Sequence, residues 1–281
     1  MLESVLHRLL RTPRVDVWRG WYRRYDDNPF EVQPAGISRE RFLELARQAR
    51  RNDALVATLG KRFGHLPDPE FIDEIALATQ VVPKEEGLDW SHGFLLYAAL
   101  TSVLERTPPD RPVTIFETGT ARGFSAICMA KALSDAGRAG TIVTVDVLHA
   151  ERPIYWNSIA DADGPKTRLE LLEPWSELVE DHVVFLRGDV SVALEQIGLA
   201  RIHFAFLDAE HTYEAVRDEL AFVAAHQQPG DVIVCDDYTP REFPEIVQAV
   251  DELAATGAYE MSRFASSNAR GYAYLEKFGE D

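Results

Sequence analysis

Between residues 113 and 235 the chain alternates short apolar runs with longer stretches whose apolar positions recur at helical spacing. The runs fall at 113–116, 141–145, 183–186, 203–207 and 232–235, and their length and β-branched content predict strands buried on both faces. Residues 125–133, Ser-Ala-Ile-Cys-Met-Ala-Lys-Ala-Leu, have the spacing of a helix packed on the first of these strands. Such alternation implies right-handed crossovers and a parallel sheet covered by helices on both faces. Residues 261–265 and 272–276, joined by Ser-Ser-Asn-Ala-Arg-Gly, break the rhythm and predict a terminal antiparallel hairpin. Up to about Leu104 the apolar residues keep helical spacing, as at 42–46 and 71–77, between breaks at Pro34, Pro67, Pro69 and Pro83. The chain thus divides into a helical N-terminal segment, 1–84, suited to a lid or to oligomerisation, and an α/β domain, 85–281.

Composition narrows the class. At 281 residues and 46% hydrophobic, the chain can bury one large core, or a main domain with a smaller appendage. No apolar run approaches the roughly 20 residues of a membrane helix, and no uninterrupted apolar stretch opens the chain, so a cytoplasmic protein with no stable membrane insertion is expected. Cys128 and Cys235 lie in apolar segments without ligand spacing and read as small buried hydrophobes. A net charge of −17 argues against a nucleic-acid partner, because such binding draws on cationic contacts with phosphates, and favours a small molecule. The first 24 residues run the other way, with Arg8, Arg11, Arg14, Arg19, Arg23 and Arg24 interleaved with Trp18, Trp21 and Tyr22. That arm could meet a membrane surface or a partner, but charge complementarity favours a helix packed on the acidic body or on a second subunit.

The first predicted strand runs into Glu117-Thr-Gly-Thr-Ala-Arg-Gly-Phe-Ser125, a turn in which Gly119 can take positive φ and Gly123 admits close backbone approach. A dinucleotide loop wants Gly-x-Gly-x-x-Gly, but Ala121 stands at the middle position and Glu117 would repel a pyrophosphate. A cationic ligand suits that acid; a plain turn with helix-packing glycines has the same pattern. Every predicted strand end carries an acid: Glu117, Asp146, Asp189 after Gly188, Asp208, and the pair Asp236–Asp237. Acids in such places commonly cap helices, yet five successive strand ends gathered at one rim call for cations to offset them.

The pattern Glu117-x-Gly119-x-x-x-Gly123-x-Ser125 resembles the first motif of class I S-adenosylmethionine-dependent methyltransferases. Phe206-Leu-Asp-Ala-Glu-His-Thr-Tyr213 and Pro229-Gly-Asp-Val-Ile-Val-Cys-Asp-Asp-Tyr238 resemble the metal-dependent O-methyltransferases of the macrocin and sugar type, related to the catechol O-methyltransferase group. The resemblance covers roughly residues 85–276 and implies a Rossmann-like, seven-stranded, mostly parallel sheet with a C-terminal antiparallel hairpin. It implies S-adenosylmethionine as cofactor, with Glu117, Gly119, Thr120, Gly123 and Ser125 around the methionine end, Asp146 on the ribose, Gly188 and Asp189 at the adenine, and Asp208 nearby. It further implies Mg²⁺ on Asp208, Asp236 and Asp237, hard oxygen ligands of the kind that ion takes. His211, three residues after Asp208, becomes the general base with Asp208 beside it; otherwise it is an N-terminal helix residue or contacts only the cofactor. Asp189 could instead cap a helix near Ser191, and Asp236 and Asp237 could meet a polar substrate directly, with Asp237 turned to the helix near Pro244.

The expected reaction is O-methylation of a small hydroxylated acceptor, such as a sugar, a glycosylated natural product or a phenol, in natural product biosynthesis. Alternatives are a metal-independent small-molecule methyltransferase, a nicotinamide oxidoreductase, which Ala121 and the late hairpin oppose, and a noncatalytic cofactor-binding protein, which the complete acidic rim opposes. The crossover 147–182 exceeds an ordinary connection and carries Tyr155, Trp156 and Trp175, the surfaces of a lid or of a subunit contact. A homo-oligomer formed through the N-terminal helices is the corresponding expectation for assembly.

Overall fold

The computed structural model describes residues 38–49, 52–83, 88–266 and 270–279. The basic, aromatic arm therefore lies outside the described residues. Among the described residues four helices come first: α1 (Arg39–Gln48), α2 (Asp53–Phe63), α3 (Pro69–Thr79) and α4 (His92–Arg106). Each of the first three starts where a short polar side chain satisfies an otherwise unpaired helix N–H. Ser38 accepts from Arg41 N, Asn52 from Leu55 N and Asp68 from Glu70 N. Gly64, at φ +81°, ends α2 in the left-handed conformation that spares a Cβ clash.

The α/β part follows as β1 (Val113–Thr118), α5 (Phe124–Asp135), β2 (Gly140–Asp146), short helices α6 (Arg168–Leu171) and α7 (Ser176–His182), β3 (Val183–Arg187) and α8 (Val190–Gln196). It continues with β4 (Phe204–Leu207), α9 (Tyr213–Ala225), β5 (Val232–Cys235), α10 (Pro244–Ala255), β6 (Tyr259–Ala265) and β7 (Gly271–Lys277). The seven strands form one sheet in the order β3-β2-β1-β4-β5-β7-β6. β1 to β5 are parallel, while β7 runs antiparallel to β5 and β6 antiparallel to β7. This is the Rossmann-like, mostly parallel seven-stranded sheet with a C-terminal antiparallel hairpin that the sequence leads one to expect. The order reverses between β1 and β4, and ligands in open α/β sheets bind in the crevice at such a switch point.

Alternate residues of a strand face opposite ways, and the core follows that period. Phe204 and Phe206 of β4, with Tyr272 and Tyr274 of β7, join the buried cluster that α2 to α5 cover. Ala205, Leu207, Ala273 and Leu275 join the cluster on the other face, beneath α9 and α10. Phe42, Leu59, Phe63, Ile72 and Ile75 of the lead-in helices belong to the first cluster, so these helices share a core with the sheet.

The crossover between β2 and β3 is folded onto the body. Trp156 is fully buried with Leu148, Ile154 and Leu171, Trp175 is half-buried against the main core, and Tyr155 alone of the three aromatics is exposed. Asp161 fixes the local turn by accepting from Trp156 N and Ser158 N. Among the described residues no helix is long and apolar enough to cross a membrane.

Candidate active site

Gly119 follows β1 with φ +86°, and a Cβ there would lie 2.0 Å from the carbonyl oxygen of Asp208. The close approach of the β1 and β4 ends therefore requires glycine at this position. Gly123, at φ +91°, caps the start of α5, and a Cβ on it would meet Leu172 at 2.7 Å. Between them Ala121 also has positive φ, +45°, and its N–H donates to Asp146 Oδ2 at 2.6 Å. Asp146 Oδ1 accepts from Leu148 N at 2.7 Å. A carboxylate has about four lone-pair positions, so capacity for ribose hydroxyls remains after these two bonds.

Asp146 is buried, and desolvation raises its pKa despite the Arg168 guanidinium and the backbone donors that oppose the rise. Arg168 comes from α6 in the crossover, is 1% exposed, donates to Ala121 O at 2.8 Å and stands 3.5 Å from Asp146 Oδ2. Arg122 reaches the opposite way, donating to Trp156 O at 2.7 Å. The two arginines tie the crossover to the glycine turn from both sides. Next to that turn opens a cleft of about 180 Å³ lined by Gly119, Ala121, Asp146, Leu148, Asp189 and Asp208, among others.

Glu117 lies within β1 rather than on the rim and is fully buried. Oε1 accepts from Ser125 Oγ, while Oε2 is left without a hydrogen bond. Burial pushes its pKa up to about 7, against the lowering influence of the Ser125 and Thr144 hydroxyls. A buried carboxylate with a free oxygen is the chemistry that a cationic amino group would satisfy. Thr120 is buried with its hydroxyl on Thr144, so it braces the turn. Gly188 N donates to Asp146 O at 2.9 Å, joining the β2 and β3 ends. Asp189 caps α8 through Ser191 N at 2.8 Å and also lines the cleft, so the cap and the cleft position coexist.

At the other end of the cleft, Asp208, His211 and Asp237 present ligand atoms within 4.8 Å of one another. His211 Nε2 lies 3.5 Å from Asp237 Oδ2 and 3.9 Å from Asp208 Oδ1, just before α9, and its ring packs 4.5 Å from that of Phe243. Pairing with Asp208 raises the His211 pKa, while burial and the nearby Asp236 raise those of Asp208 and Asp237. Asp237 itself takes φ +51°, a left-handed conformation that aspartate tolerates better than most residues.

Asp236 stands apart from its expected partners. Its side chain has no solvent exposure and is gripped by Arg270, whose Nε donates to Oδ1 at 3.0 Å and whose Nη2 donates to Oδ2. The cluster that could receive a cation therefore comprises Asp208, Asp237 and His211, not the expected trio of aspartates. Tyr213 also points elsewhere, donating its hydroxyl to Glu252 at 2.6 Å. Arg168, Arg270 and the buried Glu219, which accepts from Thr118 Oγ1, were not apparent as site residues in the sequence. Arg270 belonged to a hairpin turn and Glu219 to a helix repeat, so neither stood out by spacing.

A family model described as a methyltransferase domain matches residues 116–238, which span the glycine turn and all of the acidic strand ends. Solved structures with the same fold include an O-methyltransferase candidate from Klebsiella pneumoniae, 17% identical with TM-score 0.54, covering 84% of this chain and 100% of that one. An O-methyltransferase from Bacillus cereus in complex with S-adenosylhomocysteine is 17% identical with TM-score 0.52, over 83% of this chain and 100% of that one. The O-methyltransferase TomG from Streptomyces achromogenes, involved in tomaymycin synthesis and in complex with S-adenosylmethionine, is 19% identical with TM-score 0.50, over 84% and 99%. Comparison with curated proteins returns no match.

Proposed function

We propose that this chain, whose residues 116–238 match a methyltransferase domain, transfers the methyl group of S-adenosylmethionine to a hydroxyl oxygen of a small molecule. The acceptor class is a sugar, a glycosylated natural product or a phenol. The observation that carries the reading is one continuous cleft, which runs from the Gly119–Ala121 turn and Asp146 to Asp208, where His211 and Asp237 converge. The O-methyltransferase descriptions of the structures with the same fold support it.

Asp146 receives the ribose hydroxyls, Asp189 borders the adenine and Glu117 offers its free oxygen toward the amino group of the methionine end. The acceptor hydroxyl sits at the His211 end, with its oxygen in line with the sulfonium methyl carbon. The oxygen forms its bond to that carbon as the carbon–sulfur bond breaks. The bonding pair leaves on sulfur, giving the neutral thioether, and His211 takes the hydroxyl proton. A divalent cation at Asp208 and Asp237, with Mg²⁺ the first choice for oxygen ligands, would lower the charge developing on the acceptor oxygen.

The test is incubation of the protein with methyl-labelled cofactor, Mg²⁺ and a metabolite extract, read by mass spectrometry. A labelled product heavier by one methyl group is the expected result, reduced by His211→Ala on the order of 100-fold, as for loss of a general base. Calorimetry that shows binding of NAD but not of S-adenosylhomocysteine would overturn the reading. Cofactor binding without transfer to any acceptor would favour a noncatalytic role.

A further inference from the structure

We propose that Arg270 is a resident cation of the acidic rim, which withdraws Asp236 from metal binding and thereby sets the affinity of the site for a divalent ion. The inference rests on the cation-assisted reading above and departs from the expected trio of aspartates. Asp236 has no exposed side-chain surface, whereas Asp237 and Asp208 keep 19% and 28% of theirs. A hydrated cation can reach the latter two and not the first. The Asp236 oxygens are already engaged: Oδ1 accepts from Asp237 N at 2.7 Å and from Arg270 Nε at 3.0 Å, and Oδ2 accepts from Arg270 Nη2. A two-pronged guanidinium–carboxylate contact combines strong charge-assisted bonds with fixed geometry, so an incoming ion must displace it to use Asp236.

The placement of Arg270 is built into the fold. It immediately precedes β7, where Tyr238 N donates to Gly271 O at 2.9 Å, and a Cβ on Gly271 would lie 2.3 Å from Tyr238 O. The β5 exit and the β7 entry are thereby held together backbone to backbone, with Arg270 directed at the acidic pair. Its guanidinium also lies 5.9 Å from the Tyr272 ring centroid, and its Nε is 3.6 Å from Asp237 Oδ1. The positive charge is thus shared unequally: Asp236 is fully engaged, while Asp237 is only approached and stays open toward Asp208 and His211. Two roles follow for neighbouring acids. Asp236 anchors the hairpin to β5, and Asp237 faces the reaction.

Mn²⁺ binding to the full-length protein, followed by titration calorimetry and by electron paramagnetic resonance, tests this without relying on turnover. In Asp237→Asn the affinity should fall at least tenfold, and in Asp236→Asn it should change less than threefold. In Arg270→Gln, where the Asp236 carboxylate is released and one positive charge is removed, Mn²⁺ should bind at least tenfold more tightly than in the wild type. A gain in affinity cannot arise from misfolding, which makes this variant decisive. Should Asp236→Asn lose as much as Asp237→Asn, or Arg270→Gln bind no better than the wild type, the role of Arg270 is overturned while the cation reading survives. Should neither wild type nor Arg270→Gln bind Mn²⁺, the cation reading fails and this inference with it. Binding confined to Arg270→Gln would support the inference in its strongest form, a site closed by its own arginine.

Discussion

At the residue scale, Glu117 occupies an environment unlike its expected one. An acid closing a strand reads as a rim residue, yet it lies inside β1, fully buried, with its pKa pushed up to about 7 chiefly by burial. Below that pH the ligand-free protein holds a proton there. A cationic methionine end favours the carboxylate, so binding must release that proton. Cofactor affinity should therefore rise as pH climbs toward about 7, by as much as about tenfold per unit, and level off above it. Calorimetric titration with S-adenosylhomocysteine between about pH 6 and 8 measures that slope. Glu117→Gln should flatten it and weaken binding at the upper end by roughly 10- to 100-fold, the worth of a hydrogen bond to a charged group. A slope that persists in the variant would assign the released proton to another buried acid, Asp208 first.

At the scale of elements, the glycine turn is the joint on which the cleft depends. Gly119→Ala would place a methyl group 2.0 Å from Asp208 O at φ +86°, so the ends of β1 and β4 would have to separate. The cost should be at least about 2–4 kcal/mol in urea unfolding, with cofactor binding lost before the fold. The sequence made this joint legible, because positive-φ glycines between an apolar run and a helix repeat leave a local signature. The five parallel strands and the hairpin were legible for the same reason: each rests on periodicity within a few residues. The charge pairing was not. Arg270 meets Asp236 across 34 residues and Arg168 reaches Asp146 from a different element, and no short window records which cation reaches which acid. Acids at five strand ends therefore suggest exogenous cations, whereas two of the compensating charges are arginines of the chain itself. The crossover aromatics misled in a related way: Trp156 reads as a stacking surface but forms the core that holds Arg168 in place.

For the whole molecule, the question is whether the lead-in helices are an appendage or part of the α/β body. Composition allows both, and the boundary at residue 84 follows the family resemblance, which begins near residue 85. The packing joins them. Phe63 at the end of α2 lies 5.4 Å, ring centre to ring centre, from Tyr274 of β7 and 6.0 Å from Phe264 of β6, inside a cluster that extends through α4 and α5 to β4 and β5. The hairpin carrying these rings is also the element that Arg270 pins to the active site. Removing the ring at Phe63 should cost about 3–5 kcal/mol, because a buried aromatic leaves a cavity that a sheet and helix face cannot close. In a body with one core, that loss appears in a single cooperative transition, lowered on the order of 10 °C for a chain of this size. Differential scanning calorimetry of Phe63→Ala beside the wild type distinguishes the cases. A second, earlier transition that moves alone, with the main one unshifted, would show that the helices unfold separately and would make residues 1–84 a domain in their own right. A common shift would mean that the helical layer is part of the wall behind the cleft, and that substitutions in it reach the acidic rim through β6 and β7.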